Sequence, residues 1–325
     1  MTIKILKVGV DLGGTKITAS ILDEKNKVLA TVKAQTLPEE GRRYLLETIA
    51  GVLERALESI NLPRKKLAVA GIACPGIVDE KLNTVSASPN LPFLTGYPLA
   101  REFTKMTGIP ALIENDVNMG LYGEHQFGAA KGYTHAVGIF LETGIGGALI
   151  LNGQLYRGAF GAAGELGHIH MGEMTPECGC GSLGCLEAVA GRLAISAEAA
   201  LYAARGNAPA LLEIAGTDLR KITSATLREA AESGDKKITE LIARKAGLVG
   251  VALASVVNIL DPEIIVVGGR LADAFPEIIF DGIKGSIAKY TYAALPKRKV
   301  KIVRASLGAM APIMGVAKLA EDRLL

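Results

Sequence analysis

The stretch that decides the fold is Val8-Gly-Val-Asp-Leu-Gly-Gly-Thr-Lys-Ile-Thr-Ala19, an apolar run that turns through two glycines into a second apolar run. Aliphatic and β-branched residues predict strands at about residues 4–10 and 17–22, and the glycines between them predict a tight turn. A similar pattern returns at Val137-Gly-Ile-Phe-Leu-Glu-Thr-Gly-Ile-Gly-Gly-Ala-Leu-Ile-Leu151. The recurrence indicates an internally duplicated chain.

The rest of the chain alternates between strand and helix patterns. Strands are predicted at 67–73, 111–113, 264–267 and 300–304, and helices at 44–60, over most of 186–260 and at the C-terminus. This alternation predicts an α/β protein, and 325 residues with 49% hydrophobic content suffice for two domains.

Composition and charge exclude several functional classes. A net charge of +3 is too small for a nucleic-acid scaffold. The N-terminus enters a strand directly and lacks the features of a secretory signal. The longest apolar run, Ala246 to Leu260, is shorter than the roughly 20 residues of a membrane span and contains Ser255 and Asn258, which favours a buried core helix. We therefore expect a cytoplasmic protein that binds neither nucleic acid nor membrane.

One segment combines an imidazole with three of the four cysteines. His168 is followed by Cys178, Cys180 and Cys185, with glycines between the cysteines. One nitrogen and three sulfur ligands predict a closed tetrahedral zinc site, which is structural because no coordination position stays open. His170 is an alternative imidazole ligand. Redox thiols are a second alternative, but a Cys-X-Cys disulfide would be strained.

The first hairpin is a candidate phosphate site. Its turn, Asp11 to Lys16, lies between two strands, so its amides can face an anion, although an ordinary turn would have the same sequence. Two such hairpins, the second bearing Thr143-Gly144, could hold a polyphosphate and its magnesium ion from two domains. Phe140 takes the place of Asp11 in the second copy, so Asp11 suits the ion rather than the turn.

Asp116 follows a short apolar strand and is the candidate general base. A carboxylate at a strand end can accept a proton from a substrate hydroxyl in line with a phosphoryl group. Its alternative role is the N-cap of the following helix. Asn115, Glu165 and Glu187 supply further acceptors of the kind that a polyhydroxylated ligand requires, so the sequence predicts a carbohydrate pocket.

Together these motifs resemble the ROK family of sugar kinases over nearly the whole chain. The resemblance rests on both hairpins, on Glu114-Asn-Asp116 and on Glu165-x-Gly-His168 with its cysteine cluster. It implies the actin-like ATPase (ribonuclease H-like) fold, with two duplicated α/β domains and a cleft between them. A small domain would span 1–117, completed by a C-terminal helix at about 306–325. A larger domain, 118–305, would carry the zinc loop and the helical region.

The resemblance also implies roles for individual residues. Asp116 would be the general base. The sugar ligands would be Gly76, Asn90, Asn115, Asp116, Gly144, Glu165, His168 and Glu187. The ATP and magnesium ligands would be Asp11, Gly13, Gly14, Thr15, Lys16, Thr143 and Gly144, with Gly268 and Gly269 at the adenine end unless they only end a strand. The ligands of a structural zinc ion would be His168, Cys178, Cys180 and Cys185.

Three positions depart from the family pattern. Glu142 replaces a glycine and adds negative charge near the expected phosphates. Phe93 stands where the family often has tryptophan. The segment 307–311 lacks the acidic residues that are common there. The weak adenine signal leaves the donor open among ATP, other nucleotides and polyphosphate.

The expected activity is an ATP-dependent hexose 6-kinase, with glucose as the expected acceptor, in a homodimer or tetramer. Kinases of fructose, mannose, N-acetylmannosamine or N-acetylglucosamine are alternatives. A sugar-responsive repressor is disfavoured because the first strand begins by Ile3, which leaves no room for a DNA-reading helix. A sugar-binding protein without catalysis is the third hypothesis, and Glu142 is its only support.

Overall fold

The computed structural model describes residues 5–81, 83–88, 91–172, 176–292 and 300–325. The chain divides into two compact units. The first contains the chain up to Gly132, Gln154–Ala163 and Ser306–Leu325, and the second contains Tyr133–Gly153 and Gly164–Ala305. The first unit therefore continues beyond the boundary expected at residue 117.

Twelve strands and eleven α-helices are found in the described residues. The strands are β1 (Leu6–Leu12), β2 (Lys16–Leu22), β3 (Val28–Gln35), β4 (Leu67–Cys74), β5 (Ile77–Asp79), β6 (Thr84–Ala87), β7 (Ala111–Asn115), β8 (Ala136–Leu141), β9 (Ile145–Leu151), β10 (Gln154–Leu155), β11 (Ile264–Gly268) and β12 (Lys301–Arg304). The helices are α1 (Gly41–Ser59), α2 (Leu99–Thr107), α3 (Asp116–Phe127), α4 (Leu186–Ala190), α5 (Arg192–Ala204), α6 (Pro209–Ala215), α7 (Ser224–Glu232), α8 (Lys236–Leu260), α9 (Arg270–Ala274), α10 (Pro276–Tyr290) and α11 (Ala311–Leu324).

Both five-stranded sheets have the same topology, which confirms the duplication. The first has the order β3-β2-β1-β4-β7, and the second has the order β10-β9-β8-β11-β12. In each sheet the hairpin is antiparallel and its first strand pairs in parallel with the next strand of the sheet. Because a parallel pair needs a crossover, helical segments separate these strands in the sequence.

The C-terminal helix α11 completes the first unit through close contacts with glycines. A Cβ atom on Gly9 of β1 or Gly71 of β4 would overlap with the backbone of α11, and one on Gly123 of α3 would do the same. Gly315 of α11 approaches the backbone of α3 equally closely. Glycine is therefore required at these positions, because any larger residue would separate the helix from the sheet.

Glu124 of α3 is fully buried and holds the segment that leads into α11. Its carboxylate accepts hydrogen bonds from the backbone N–H groups of Ala129 (2.7 Å), Ser306 (2.8 Å) and Leu307 (2.7 Å), and from the Ser306 hydroxyl (2.9 Å). A buried carboxylate with four donors is well compensated. The Glu124 carboxylate therefore joins the end of α3 to residues 306–307, which are far away in the sequence.

The second unit is built around the long helix α8. By length and composition alone α8 could cross a membrane, but 56% of its most apolar window is buried inside this unit. It packs against α10, and Gly282 of α10 comes so close that a Cβ atom would contact Ala246 at 2.7 Å. The expectation that residues 246–260 form a core helix is thus correct. Residues 205–208 separate α5 from α6, and residues 233–235 separate α7 from α8.

Candidate functional site

The first hairpin places Asp11 at the carboxyl end of β1. Asp11 is half-buried and pairs in register with Thr18 of β2. In the turn, the Gly13 N–H donates to the Lys16 carbonyl at 2.9 Å, and the Thr36 hydroxyl donates to the Gly13 carbonyl at 2.8 Å. A Cβ atom on Gly14 would meet nothing within 4 Å. Hydrogen bonds to the carbonyls of Lys16 and Gly13 thus hold the turn in place. The space beside Gly14 is open, so an anion could approach the backbone there.

Asp116 lies at the same edge of the first sheet as Asp11. β1, β4 and β7 are parallel neighbours, so their carboxyl ends meet at one edge. Asn115 caps α3, because its side-chain oxygen accepts the Asn118 N–H at 2.8 Å. The Asp116 carboxylate accepts the N–H of Val117 at 3.0 Å. The alternative reading of Asp116 as the N-cap is therefore wrong, since its neighbour performs that role.

Asn115 also contacts the predicted sugar residue Gly76. The Asn115 amide donates to the Gly76 carbonyl at 3.0 Å. Gly76 has a φ of 112°, and a Cβ atom there would overlap with the Ala87 carbonyl, so only glycine suits this position. The predicted sugar ligand Asn90 lies outside the described residues.

In the second unit, Glu187 connects the cysteine-rich loop to the second hairpin. Its Oε2 accepts the N–H of Ile145 at 2.9 Å, and its Oε1 lies 3.7 Å from the thiol of Cys178, which can donate to it. Gly144 lies so close that a Cβ atom would overlap with the Glu187 carboxylate. The structure thus brings together three residues that the sequence predicts for the site, Gly144, Cys178 and Glu187.

The four predicted zinc ligands converge in the second unit. One ligand atom from each of His168, Cys178, Cys180 and Cys185 lies within 4.8 Å of all the others. Cys180 Sγ and Cys185 Sγ are 3.8 Å apart, which is the edge of a tetrahedron with a metal–sulfur distance of about 2.3 Å. No disulfide joins the three cysteines. The donor set and its spacing fit zinc.

The thiols of this cluster have different acidities. Burial raises the pKa of Cys178 to about 12, whereas a backbone hydrogen bond from Ser182 lowers the pKa of Cys180 to about 7. Zinc binds thiolates, so binding would release the protons that burial retains on Cys178.

The two histidines of the segment differ in their surroundings. His168 Nδ1 lies 3.8 Å from Cys178 Sγ, and its Nε2 lies 3.8 Å from a carboxylate oxygen of Glu165. The His170 ring instead packs against Gly184, where a Cβ atom would overlap with the ring. The geometry therefore favours His168 over His170 as the ligand.

The pKa of Glu165 is raised above its usual value, and desolvation is the largest cause. His168 lowers this pKa, whereas the charge of Glu187 raises it further.

Two arginines beside Thr143 were not predicted from the sequence. Arg270 donates from Nε (2.6 Å) and from its backbone N–H (3.0 Å) to the Glu142 carboxylate, so this charge is paired. Arg192 donates to the Thr143 hydroxyl at 3.2 Å. Burial, and then the charge of Arg270, lowers the pKa of Arg192. Two arginine side chains thus contact the second hairpin, and one of them neutralises Glu142. No local sequence pattern indicates these contacts, because both arginines are far from the hairpin in the chain.

Gly268 and Gly269 lie where β11 ends beside β8. A Cβ atom on Gly268 would contact the Phe140 ring at 2.8 Å, and one on Gly269, whose φ is 96°, would overlap with the Leu141 backbone. The close packing of these two residues against β8 is enough to explain why both are glycine. Their role at the adenine end stays a prediction.

Comparisons with known proteins agree with this geometry. The family model described as "ROK family" matches residues 7–323. A glucokinase of Thermotoga maritima is 32% identical over 99% of both chains, and one of Streptomyces coelicolor is 33% identical over 98% of both. The crystal structure of a ROK family glucokinase from Streptomyces griseus in complex with glucose and AMPPNP superposes with a TM-score of 0.85, at 33% identity, and covers 98% of this chain and 99% of that chain.

Proposed function

Because the chain belongs to the ROK family, we propose that it is an ATP-dependent sugar kinase that phosphorylates the 6-hydroxyl of glucose. The glucokinases of similar length support this activity and this acceptor. The observation that carries the proposal is the position of Asp116. Asp116 lies at the sheet edge that also bears Asp11, and the helix α3 is capped by Asn115 rather than by Asp116.

The mechanism follows from these positions. Asp116 accepts the proton of the sugar 6-hydroxyl as that oxygen attacks the γ-phosphorus of ATP; the bond from this phosphorus to the bridging oxygen breaks, and ADP leaves. The Asn115 amide and the backbone at Gly76 orient the sugar on the first unit. Glu165, His168 and Glu187 are further proposed sugar ligands, whose side chains would form hydrogen bonds with sugar hydroxyls. Each buried sugar hydroxyl then keeps a partner, as binding requires.

The donor phosphates are assigned to the two hairpin turns. Gly13, Gly14, Thr15 and Lys16 would bind them through backbone N–H groups and the lysine charge, and Thr143 and Gly144 would do so in the second unit. Asp11 would hold magnesium, which neutralises phosphate charge when bound. The adenine would lie towards Gly268 and Gly269.

Zinc is proposed as a structural ion on His168, Cys178, Cys180 and Cys185. The chemistry that it would supply is the fixation of a glycine-rich loop, because four protein ligands leave no position for substrate. Glu187 follows the last ligand by two residues, so a fixed loop also fixes this carboxylate. A homo-oligomer stays a prediction.

The proposal is tested by ADP release with magnesium-ATP and a panel of glucose, mannose, fructose, N-acetylglucosamine and N-acetylmannosamine. We expect the highest kcat/KM with glucose. Asp116→Asn should lower kcat by about 10²- to 10⁴-fold while glucose still binds in calorimetry. The control Asp23→Asn changes a carboxylate in an exposed turn after β2 and should leave kcat unchanged. Wild-type turnover by Asp116→Asn would refute the role of Asp116, and turnover of another sugar alone would refute the acceptor.

A further inference from the structure

Arg157 forms an ion pair with Glu114, which is close in sequence to the proposed base, Asp116. Arg157 Nε lies 2.6 Å from Glu114 Oε2, and the two side chains are only 13% and 5% exposed. Both residues belong to the first unit, although Arg157 is far from Glu114 in sequence. A pair with so little exposure is weakly screened by solvent, so the loss of one partner would leave a buried charge uncompensated.

The other oxygen of Glu114 holds the start of α3. Glu114 Oε1 accepts the backbone N–H of Asn115 at 2.9 Å and lies 3.3 Å from the side-chain amide of Asn118. Asn118 in turn donates its backbone N–H to the cap Asn115. The Glu114 carboxylate therefore links Arg157 to the residues on both sides of Asp116.

Arg157 is itself held in a fixed loop, residues 156–163. Its carbonyl accepts the N–H of Ala163 at 3.0 Å. Gly161, with a φ of 78°, lies so close to β5 that a Cβ atom would be 2.6 Å from the Val78 carbonyl. Glu80 lies 3.6 Å from Arg157 and is also paired with Arg323 of α11. The guanidinium group is thus placed by the loop backbone and by a second ion pair.

Glu114 and Asp116 are two carboxylates only two residues apart in the chain. Both charges act on the buried thiol of Cys74 and, after burial itself, raise its pKa. Two nearby carboxylates repel each other in a poorly solvated place unless a cation compensates one of them. Arg157 is the cation bonded to Glu114 among the described residues.

We propose that Arg157 is a positioning residue for the phosphoryl transfer. By pairing with Glu114, it keeps that carboxylate directed at Asn115 and Asn118, so that Asp116 stays aligned with the sugar hydroxyl. This inference rests on the proposed kinase function. Arg157 acts through Glu114, and a misalignment of the base is expected to lower turnover more than sugar binding.

The experiment compares four variants of the full chain with glucose and magnesium-ATP. Arg157→Met removes the charge and should lower kcat by about 10- to 100-fold, with the glucose KM changed less than about threefold. Arg157→Lys keeps the charge without the planar guanidinium and should lose less than Arg157→Met. The double variant Glu114→Gln/Arg157→Met has no buried charge, and its glutamine oxygen can still accept from Asn115, so kcat should recover at least severalfold. Arg323→Met, which removes the other partner of Glu80, should keep the wild-type kcat and KM.

Two results would overturn the inference. One is an unchanged kcat in Arg157→Met, and the other is a double variant that is folded, by urea unfolding, but as slow as Arg157→Met. If Arg157→Met does not fold, the comparison of Arg157→Lys with the double variant decides in the same way, because only the pairing role predicts recovery in the double variant. No ADP release by the wild-type chain with any sugar of the panel would instead refute the proposed function itself.

Discussion

Replacing Gly144 with alanine should disrupt the contact between the second hairpin and the cysteine-rich loop. The new Cβ atom would overlap with the Glu187 carboxylate, which must then move away. The buried Ile145 N–H would lose its acceptor, now at 2.9 Å. A buried donor without a partner costs about 1–3 kcal/mol. If that cost falls on the substrate complex, kcat/KM for glucose should decrease about 5- to 150-fold.

The measurement is steady-state kinetics for glucose and for ATP, together with the zinc content and the thermal midpoint. Gly179→Ala is the matched control, because a Cβ atom there would meet nothing within 4 Å and the residue lies in the same cysteine-rich loop. It should behave as the wild type. A Gly144→Ala variant with a kcat/KM within twofold of the wild type would show that Glu187 can move without consequence, and the reasoning would be wrong.

Three further changes test the zinc site and the core. Cys178→Ser should lower the zinc content per chain, measured by mass spectrometry, and lower the thermal midpoint; full zinc occupancy would contradict the proposed ligand set. Glu124→Gln replaces an acceptor of four hydrogen bonds and should lower the free energy of unfolding in urea by about 2–4 kcal/mol; a change below about 0.5 kcal/mol would count against it. Gly71→Ala should displace α11 and give little soluble protein, whereas Gly51→Ala, on an open face of α1, should fold normally and gain up to about 1 kcal/mol; equal behaviour of the two variants would be the contrary result.

Most predictions of secondary structure agree with the structure because they rest on local pattern. The strands of the first hairpin and the strand at 264–267 are apolar runs next to glycine, and each was placed within two residues of its observed start and end among the described residues. Shorter or more polar elements were not predicted. β3 alternates exposed and mostly half-buried residues at a sheet edge, and α10 begins at Pro276 without a side-chain cap.

The site residues could be named from the sequence where several lie in one short segment. The cluster of His168, Cys178, Cys180 and Cys185 is an example, because residues that could hold a metal ion and lie on one glycine-rich loop have few other ways to be arranged. The role of Asp116 was left open between base and cap. The hydrogen bond from Asn118 assigned the cap to Asn115, which the sequence could not do because neighbouring polar residues are both suitable caps by type; the role of Asp116 as the base stays a prediction.

The sequence by itself therefore determined the duplicated α/β fold, the two hairpins and the cluster of His168, Cys178, Cys180 and Cys185, because strand patterns, glycine turns and the spacing of these residues are local. Only the tertiary structure revealed the pairs Arg157–Glu114 and Arg270–Glu142 and the buried carboxylate of Glu124. Each joins residues that are far apart in the chain. A charged side chain looks the same in sequence whether solvent surrounds it or a partner neutralises it, and folding alone decides which charges are buried together.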